Sequence, residues 1–134
     1  MDGPCSALGL RPRFSHIDTD CRLLDDMASV QKRMLFNALL LVKKTGYIVY
    51  STCTINPSEN EEVVKWFMDT CSPYVVMVKA DPIIGGPGLP SILGNRATSV
   101  QRFDPSDPIL DTTGFFIAKF QKVESVPNAF TFPA

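Results

Sequence analysis

Tyr47-Ile48-Val49-Tyr50-Ser51-Thr52-Cys53-Thr54-Ile55-Asn56-Pro57-Ser58-Glu59-Asn60-Glu61-Glu62 is the stretch whose reading decides the fold. Its first four residues are aromatic or β-branched, a short run suited to a buried strand. The chain then turns polar, and Asn56-Pro57-Ser58 opens a helix. Ser58 and Glu61 have capping-box spacing, while Glu59, Glu61 and Glu62 put negative charge at the helix's positive end. Val63, Val64, Phe67, Met68 and Cys71 give that helix an apolar face, Pro73 ends it, and Tyr74–Val78 predicts a second strand. Upstream, from Thr19 to Lys44, Leu23, Leu24, Met27, Val30, Met34, Leu35, Leu39 and Val42 recur at helical spacing. Lys43 and Lys44 complement that helix's dipole, and Gly46 terminates it. Strand, helix, strand with short links is the pattern of a parallel α/β sheet with right-handed crossovers.

Working outward, residues 2–17 read as an irregular loop. Between 81 and 113, nine prolines and glycines break regular structure over most of the stretch, which makes it either a substrate-side lid or a disordered segment. Gly114–Phe120 predicts a core strand and Pro127–Ala134 a tail. A length of 134 residues suits one domain or part of one, and 45% hydrophobic residues exclude wholesale disorder. No apolar run approaches the roughly 20 residues of a membrane span, so no membrane partner is expected. A formal net charge of −1 gives no electrostatic pointer to nucleic acid, although a local patch can bind while the total stays neutral. The start is unusual: Asp2-Gly3-Pro4-Cys5-Ser6 is a polar, functional-looking turn with no strand before it. That predicts a piece of a domain.

Ligands of an open parallel sheet sit beyond the carboxyl ends of its strands. Asp2–Ser6 and Ser51–Thr54 both meet that condition, each with a thiol and the first with a carboxylate. Thiolates are strong nucleophiles, and a helix amino terminus beyond Cys53 is expected to lower its pKa. The competing interpretation makes Cys5 and Cys53 small residues filling tight turns, and spacing alone leaves both open. Cys21 and Cys71 fit helix-face packing. With no CxxC pair and one histidine, His16, no metal site is expected. Arg11 and Arg13 are candidates for RNA phosphate contacts or solvated loop charge; Lys32, Arg33, Lys43 and Lys44 read as a solvated helix face.

Asp2-Gly3-Pro4-Cys5-Ser6-Ala7-Leu8-Gly9 resembles the D-A-P-C-S-G-x-G motif of the Sun-domain (NSUN) RNA cytosine-5 methyltransferases. Tyr50-Ser51-Thr52-Cys53-Thr54 with Asn56-Pro57-Ser58-Glu59-Asn60-Glu61 resembles their S-T-C-T-x-x-x-x-E-N-E motif, and Gly114–Phe120 is similar to the strand closing their sheet. Gly9–Arg13, Ile84–Gly88 and Gln101–Ser106 look most like the transfer-RNA branch, the family's sixth animal member. The resemblance implies an α/β, Rossmann-like class I methyltransferase fold, partial, with residues 1–121 as the carboxy-terminal part of the catalytic domain, 81–113 a long loop within it, and 122–134 a tail.

It also implies roles. Cys53 would be the nucleophile at C6 of a cytosine, Cys5 would assist release, and Asp2 would hold the N3 and N4 edge of the base. Asp2 and Pro4 would touch S-adenosylmethionine, the expected cofactor, at one edge of a pocket whose glycine-rich part has no counterpart here. The expected partner is RNA, transfer RNA foremost, and the expected location the cytoplasm, with the nucleus as alternative. Two departures are sterically small: Gly3 stands for alanine and Ala7 for glycine. A second expectation follows from the missing cofactor half: the chain alone is catalytically inactive and binds at most RNA or a partner.

Overall fold

The computed structural model describes residues 1–10 and 21–133. In chain order its elements are helix α1 (Cys21–Leu41), strand β1 (Tyr47–Thr52), a 3-10 turn (Pro57–Glu59), helix α2 (Glu61–Cys71), strand β2 (Val75–Val78), a short helix α3 (Pro90–Leu93), a 3-10 stretch (Gly94–Ser99), strand β3 (Gln101–Phe103) and strand β4 (Phe115–Lys122). Arg11, Arg13 and His16 lie outside the described residues.

β4 pairs antiparallel with β1, β2 and β3. The expected parallel neighbours β1 and β2 therefore run in the same direction but never touch as a ladder, because β4 lies between them in the order β1-β4-β2. Strand direction is a long-range property, and the local pattern that predicted a purely parallel sheet carries no record of it. A parallel relation survives at the other edge of β1, where Asp2 bridges Ser51. There the Ser51 N–H donates to the Met1 carbonyl at 3.1 Å.

Burial alternates strictly along β4. Phe116, Ala118 and Phe120 face inward with Ile48, Tyr50 and Val75, against Leu35 and Leu39 of α1 and Val63, Val64, Phe67 and Cys71 of α2. Edge-on ring contacts join Phe67 to Phe120 at 5.0 Å and Tyr50 to Phe116 at 6.4 Å, geometries that aromatic rings favour. Both helices lie on this one face. The opposite face leaves Tyr47, Val49 and Val76 exposed. A groove of about 270 Å³ on that side is lined by residues that include Val49, Ile84, Phe103 and Ile117, and takes in neither Cys5 nor Cys53.

The end of α1 is held differently from the sequence expectation. Lys43 and Lys44 lie beyond the helix, which stops at Leu41. Lys122, buried on β4, donates instead to the carbonyls of Leu39 at 2.9 Å and Val42 at 2.8 Å. A cation at a helix carboxyl end satisfies orphan carbonyls and opposes the dipole, wherever in the chain it comes from. Ser58 and Glu61 form no capping box: Asn56 accepts from the Ser58 N–H to cap the 3-10 turn, and α2 starts at Glu61.

Residues 81–113 contain more order than their glycines and prolines suggested. Gln101, buried at the start of β3, accepts from the N–H groups of Ile84 (2.8 Å) and Gly85 (2.9 Å) and donates to the carbonyls of Ala80 and Pro82. One side-chain amide thus pairs four backbone groups that no regular ladder serves, which is how an irregular segment can pack. The tail is tied down too: Phe130 stacks on Phe36 at 5.3 Å, Phe132 meets Phe36 edge-on at 5.5 Å, and Phe132 lies 5.4 Å from Trp66. Phe132→Ala is expected to lower stability by about 1–2 kcal/mol and to shift Trp66 fluorescence to longer wavelength. Unchanged melting and emission would remove the tail from the packed structure.

Candidate active site

The turn after β1 and the segment after Asp2 meet side by side. Ser51 and Thr52 end β1, and Cys53 follows; Asp2, on the parallel neighbour of β1, leads into Pro4 and Cys5. The two sulfur atoms lie 3.1 Å apart and are partly buried. The structure therefore brings Cys53 and Cys5 together. Asp2 is exposed, close enough for its charge to act on Cys53. Pro4 is exposed on the same segment. Cys71 is buried in the core, where burial pushes its thiol up to about 12, and it plays no part in this cluster. Among the described residues no group of three or more His, Cys, Asp or Glu side chains converges as a metal site would require.

The expected lowering of the Cys53 pKa is not what the geometry produces. The thiol is pushed up to about 11, by burial first, then by the hydrogen bond and charge of Cys5, and last by the Asp2 carboxylate. The helix dipole that was to lower it belongs to α2, which begins at Glu61, beyond an intervening 3-10 turn; dipole effects fade within a turn of the terminus. At pH 7 a thiol with that pKa is roughly one part in ten thousand thiolate. Alkylation of Cys53 by iodoacetamide is therefore expected to quicken about tenfold per pH unit from pH 7 to about pH 10. A plateau at pH 8 would contradict the assigned environment.

Two carboxylates that the sequence reading gave to the helix dipole are fully buried. Glu59 accepts from the Ser6 N–H (2.9 Å), the Ser6 hydroxyl (2.5 Å), Gln31 Nε2 (3.0 Å) and Asn56 Nδ2 (3.2 Å). Glu61 takes the Arg102 guanidinium at 2.9 and 3.0 Å and the Leu89 N–H at 3.2 Å, while Arg102 also donates to the Ile55 carbonyl. Buried charge persists only where it is paired or hydrogen-bonded, and both carboxylates meet that demand. Asn60 between them is buried as well: it accepts from the Thr52 hydroxyl at 2.5 Å and donates to the Thr54 carbonyl at 2.9 Å. Tyr50 stands beneath the cluster, its hydroxyl on the Glu59 carbonyl and on Gln31. Burial, reinforced by the charge of Glu59, holds that phenol well above its ordinary pKa. One signal for Gln31 was available, because it occupies the apolar stripe of α1 between Ala28 and Leu35.

The two departures from the family motif behave differently. A Cβ on Gly3 would meet Gln31 and Met34 at 3.7 Å, ordinary contact, so alanine would fit there. Ala7 instead adopts φ 56°, a left-handed conformation that glycine occupies without strain. The expectation of steric ease fails at that position. Ala7→Gly should raise stability by about 1 kcal/mol, measured by urea denaturation; a loss of stability would speak against the assigned backbone.

Residues 1–121 match the family model described as 16S rRNA methyltransferase RsmB/F. The rRNA (cytosine-C(5))-methyltransferase NOP2C of Arabidopsis thaliana is 45% identical over 133 residues, covering 90% of this chain and 22% of its own length. The human tRNA (cytosine(72)-C(5))-methyltransferase NSUN6 is 34% identical, over 93% of this chain and 31% of its own. The crystal structure of NSun6 from Pyrococcus horikoshii with SFG superposes with a TM-score of 0.77 at 34% identity, over 93% of this chain and 29% of that one. The chain spans about a fifth to a third of the length of these relatives. Its sheet, with β4 set antiparallel between β1 and β2, is part of a Rossmann-like methyltransferase fold. With the motifs around both cysteines inside the matched residues, this chain belongs to the RsmB/F, or Sun-domain, methyltransferase family.

Proposed function

We propose that the chain carries the base-modifying chemistry of an RNA cytosine-C5 methyltransferase, with Cys53 as nucleophile. The observation that supports this most directly is the pair of sulfurs 3.1 Å apart at two adjoining strand ends, with an exposed carboxylate on the same segment. C5 of cytosine is too weakly nucleophilic to take a methyl group unaided. Addition of the Cys53 thiolate to C6 breaks the C5–C6 double bond and leaves an enamine-like ring whose C5 carries the displaced electron density. Asp2 holds the N3 and N4 edge of the base, accepting from the N4 amino group and offsetting the charge that develops there. Once C5 has its new substituent, Cys5 takes the C5 proton. The C5–C6 double bond re-forms and the pair of the C6–S bond returns to Cys53.

S-adenosylmethionine supplies an electrophilic methyl group on its sulfonium when bound. Asp2 and Pro4, both exposed beside β1, can form one edge of its pocket. The described residues contain no glycine-rich turn between a strand and a helix, so they do not make the rest, and no step is derived through the cofactor. Transfer RNA is the proposed substrate, supported by the resemblance of Gly9–Arg13, Ile84–Gly88 and Gln101–Ser106 to the transfer-RNA branch and by the 34% identity to NSUN6. The 45% identity to NOP2C keeps ribosomal RNA as the rival. Incubation with transfer RNA, ribosomal RNA and labelled S-adenosylmethionine, read by nucleoside mass spectrometry, decides between them. A second proposal is a chain that binds RNA or a partner without turning over, since the described residues supply only one edge of a methyl-donor pocket. Calorimetric titration with S-adenosylmethionine separates the two: binding supports catalysis by this chain, and a flat titration supports the second.

A further inference from the structure

We propose that Glu59 and Asn60 are positioning residues that together set the distance between the Cys5 and Cys53 thiols; the inference rests on the two-thiol function above. The geometry is a clamp built across one peptide bond. Glu59 holds the Cys5 side: both of its oxygens are engaged by Ser6, the residue after Cys5, through the Ser6 N–H and hydroxyl. Asn60 holds the Cys53 side: it accepts from Thr52 and donates to Thr54, the two neighbours of Cys53. Neither residue touches a sulfur. Because 59 and 60 are adjacent in the chain, the two thiol segments, 48 positions apart in sequence, inherit a fixed separation.

The hydrogen-bond directions show why the acid is needed at 59. The Ser6 hydroxyl has one proton and gives it to Glu59 Oε1, so at the 2.9 Å contact with Thr54 it is Thr54 that donates. Thr54 Oγ1 in turn accepts from the Asn56 N–H. A single chain of donors thus runs from Asn56 through Thr54 and Ser6 into the carboxylate, joining the two cysteine segments a second time. Gln31 cannot reverse its amide to help a substitute, because its Nε2 also donates to the Pro4 carbonyl at 2.9 Å. In Glu59→Gln an NH₂ group therefore faces donors, either Ser6 N–H and Gln31 at one oxygen position or Asn56 at the other. Each is a donor left without its acceptor, fully buried at Gln31 and partly buried at Ser6 and Asn56.

The distance itself can be read without RNA or methyl donor. Diamide, a diazene oxidant, takes two hydrogens from a pair of thiols, giving one disulfide and one hydrazine, and peptide mapping by mass spectrometry records the Cys5–Cys53 link. At fixed pH the wild-type chain is expected to link within minutes. Glu59→Gln and Asn60→Asp should link at least tenfold more slowly at a temperature where circular dichroism shows them folded. Phe132→Ala, which loosens the distant tail, should link at the wild-type rate despite its lower melting temperature. Wild-type link rates in both clamp variants overturn the proposal, as does failure of the wild-type chain to link. If Glu59→Gln does not fold, Ser6→Ala replaces it: it removes only the hydroxyl and should slow linking about threefold or more, and an unchanged rate again overturns the clamp. In methyl transfer the clamp variants should lower kcat and leave KM for RNA within about twofold. Separated link rates with no methyl transfer by the wild type would sink the proposed function and leave the clamp standing.

Discussion

Cys53→Ala is expected to abolish the proposed covalent capture of cytosine. With RNA containing 5-azacytidine, whose ring accepts a thiolate at C6, the wild-type chain is expected to form an adduct that survives denaturing electrophoresis, and Cys53→Ala none. The loss should exceed a thousandfold, because no other described thiol lies where Cys53 does except Cys5, 3.1 Å away. Cys5→Ala is expected to do the opposite with unmodified RNA and S-adenosylmethionine: the adduct forms and accumulates, since nothing removes the C5 proton. Both directions matter. If Cys5→Ala abolished the adduct and Cys53→Ala preserved it, the two roles would be exchanged. Because the Cys53 thiol sits at about 11, adduct formation by the wild type should rise steadily from pH 7 to pH 10, a slope set first by burial and then by Cys5.

Gly9→Ala is expected to have the largest effect on stability. Gly9 lies against two backbone segments at once: its N–H donates to the Cys53 carbonyl at 3.0 Å, and its carbonyl accepts from the Gly114 N–H at 2.6 Å. A Cβ there would stand 2.6 Å from the Gly114 carbonyl carbon and 2.8 Å from the Cys53 carbonyl oxygen. Backbone cannot rotate out of the way as a side chain can. Relief requires the seam joining the Cys5 segment, the Cys53 turn and the approach to β4 to open. Overpacking of this kind costs about 3 kcal/mol at the upper end of its range, or roughly 10 °C in melting temperature for a chain of this size. Thermal denaturation followed by circular dichroism checks it, and a shift below about 2 °C would show that the three segments are not in contact.

What could be read from the sequence divides by range. α1 and α2 were legible because apolar spacing is a local signal, and the elements β1, β2 and β4 because short β-branched and aromatic runs are another. The two cysteines were legible as words of a motif. Glu59 and Glu61 were misread for a physical reason: acids before a helix are the ordinary complement to its dipole, and nothing nearby distinguishes that role from burial. Their partners, Ser6 and Arg102, lie 53 and 41 residues away. The Cys53 pKa was misjudged for a related reason, since the helix start was placed too early and the neighbouring Cys5 and Asp2 come from the far end of the chain. The antiparallel place of β4 was invisible, because a strand's direction is settled only by its neighbours.

The central place of β4 bears on how the protein is made. β1, β2 and β3 each pair with β4 and with no other named strand, and β4 is the last element of the sheet to be synthesised. The Tyr47↔Gln121 pair closes a span of more than seventy residues. Until residue 122 has left the ribosome, β1, β2 and β3 lack the strand they share, while α1 and α2 can form early from local contacts. The nascent chain thus carries these two helices before it gains the ladders of β4. Any stop before Phe115 releases a chain without the three ladders that β4 makes, which makes the unfinished chain a natural client for chaperones and proteases.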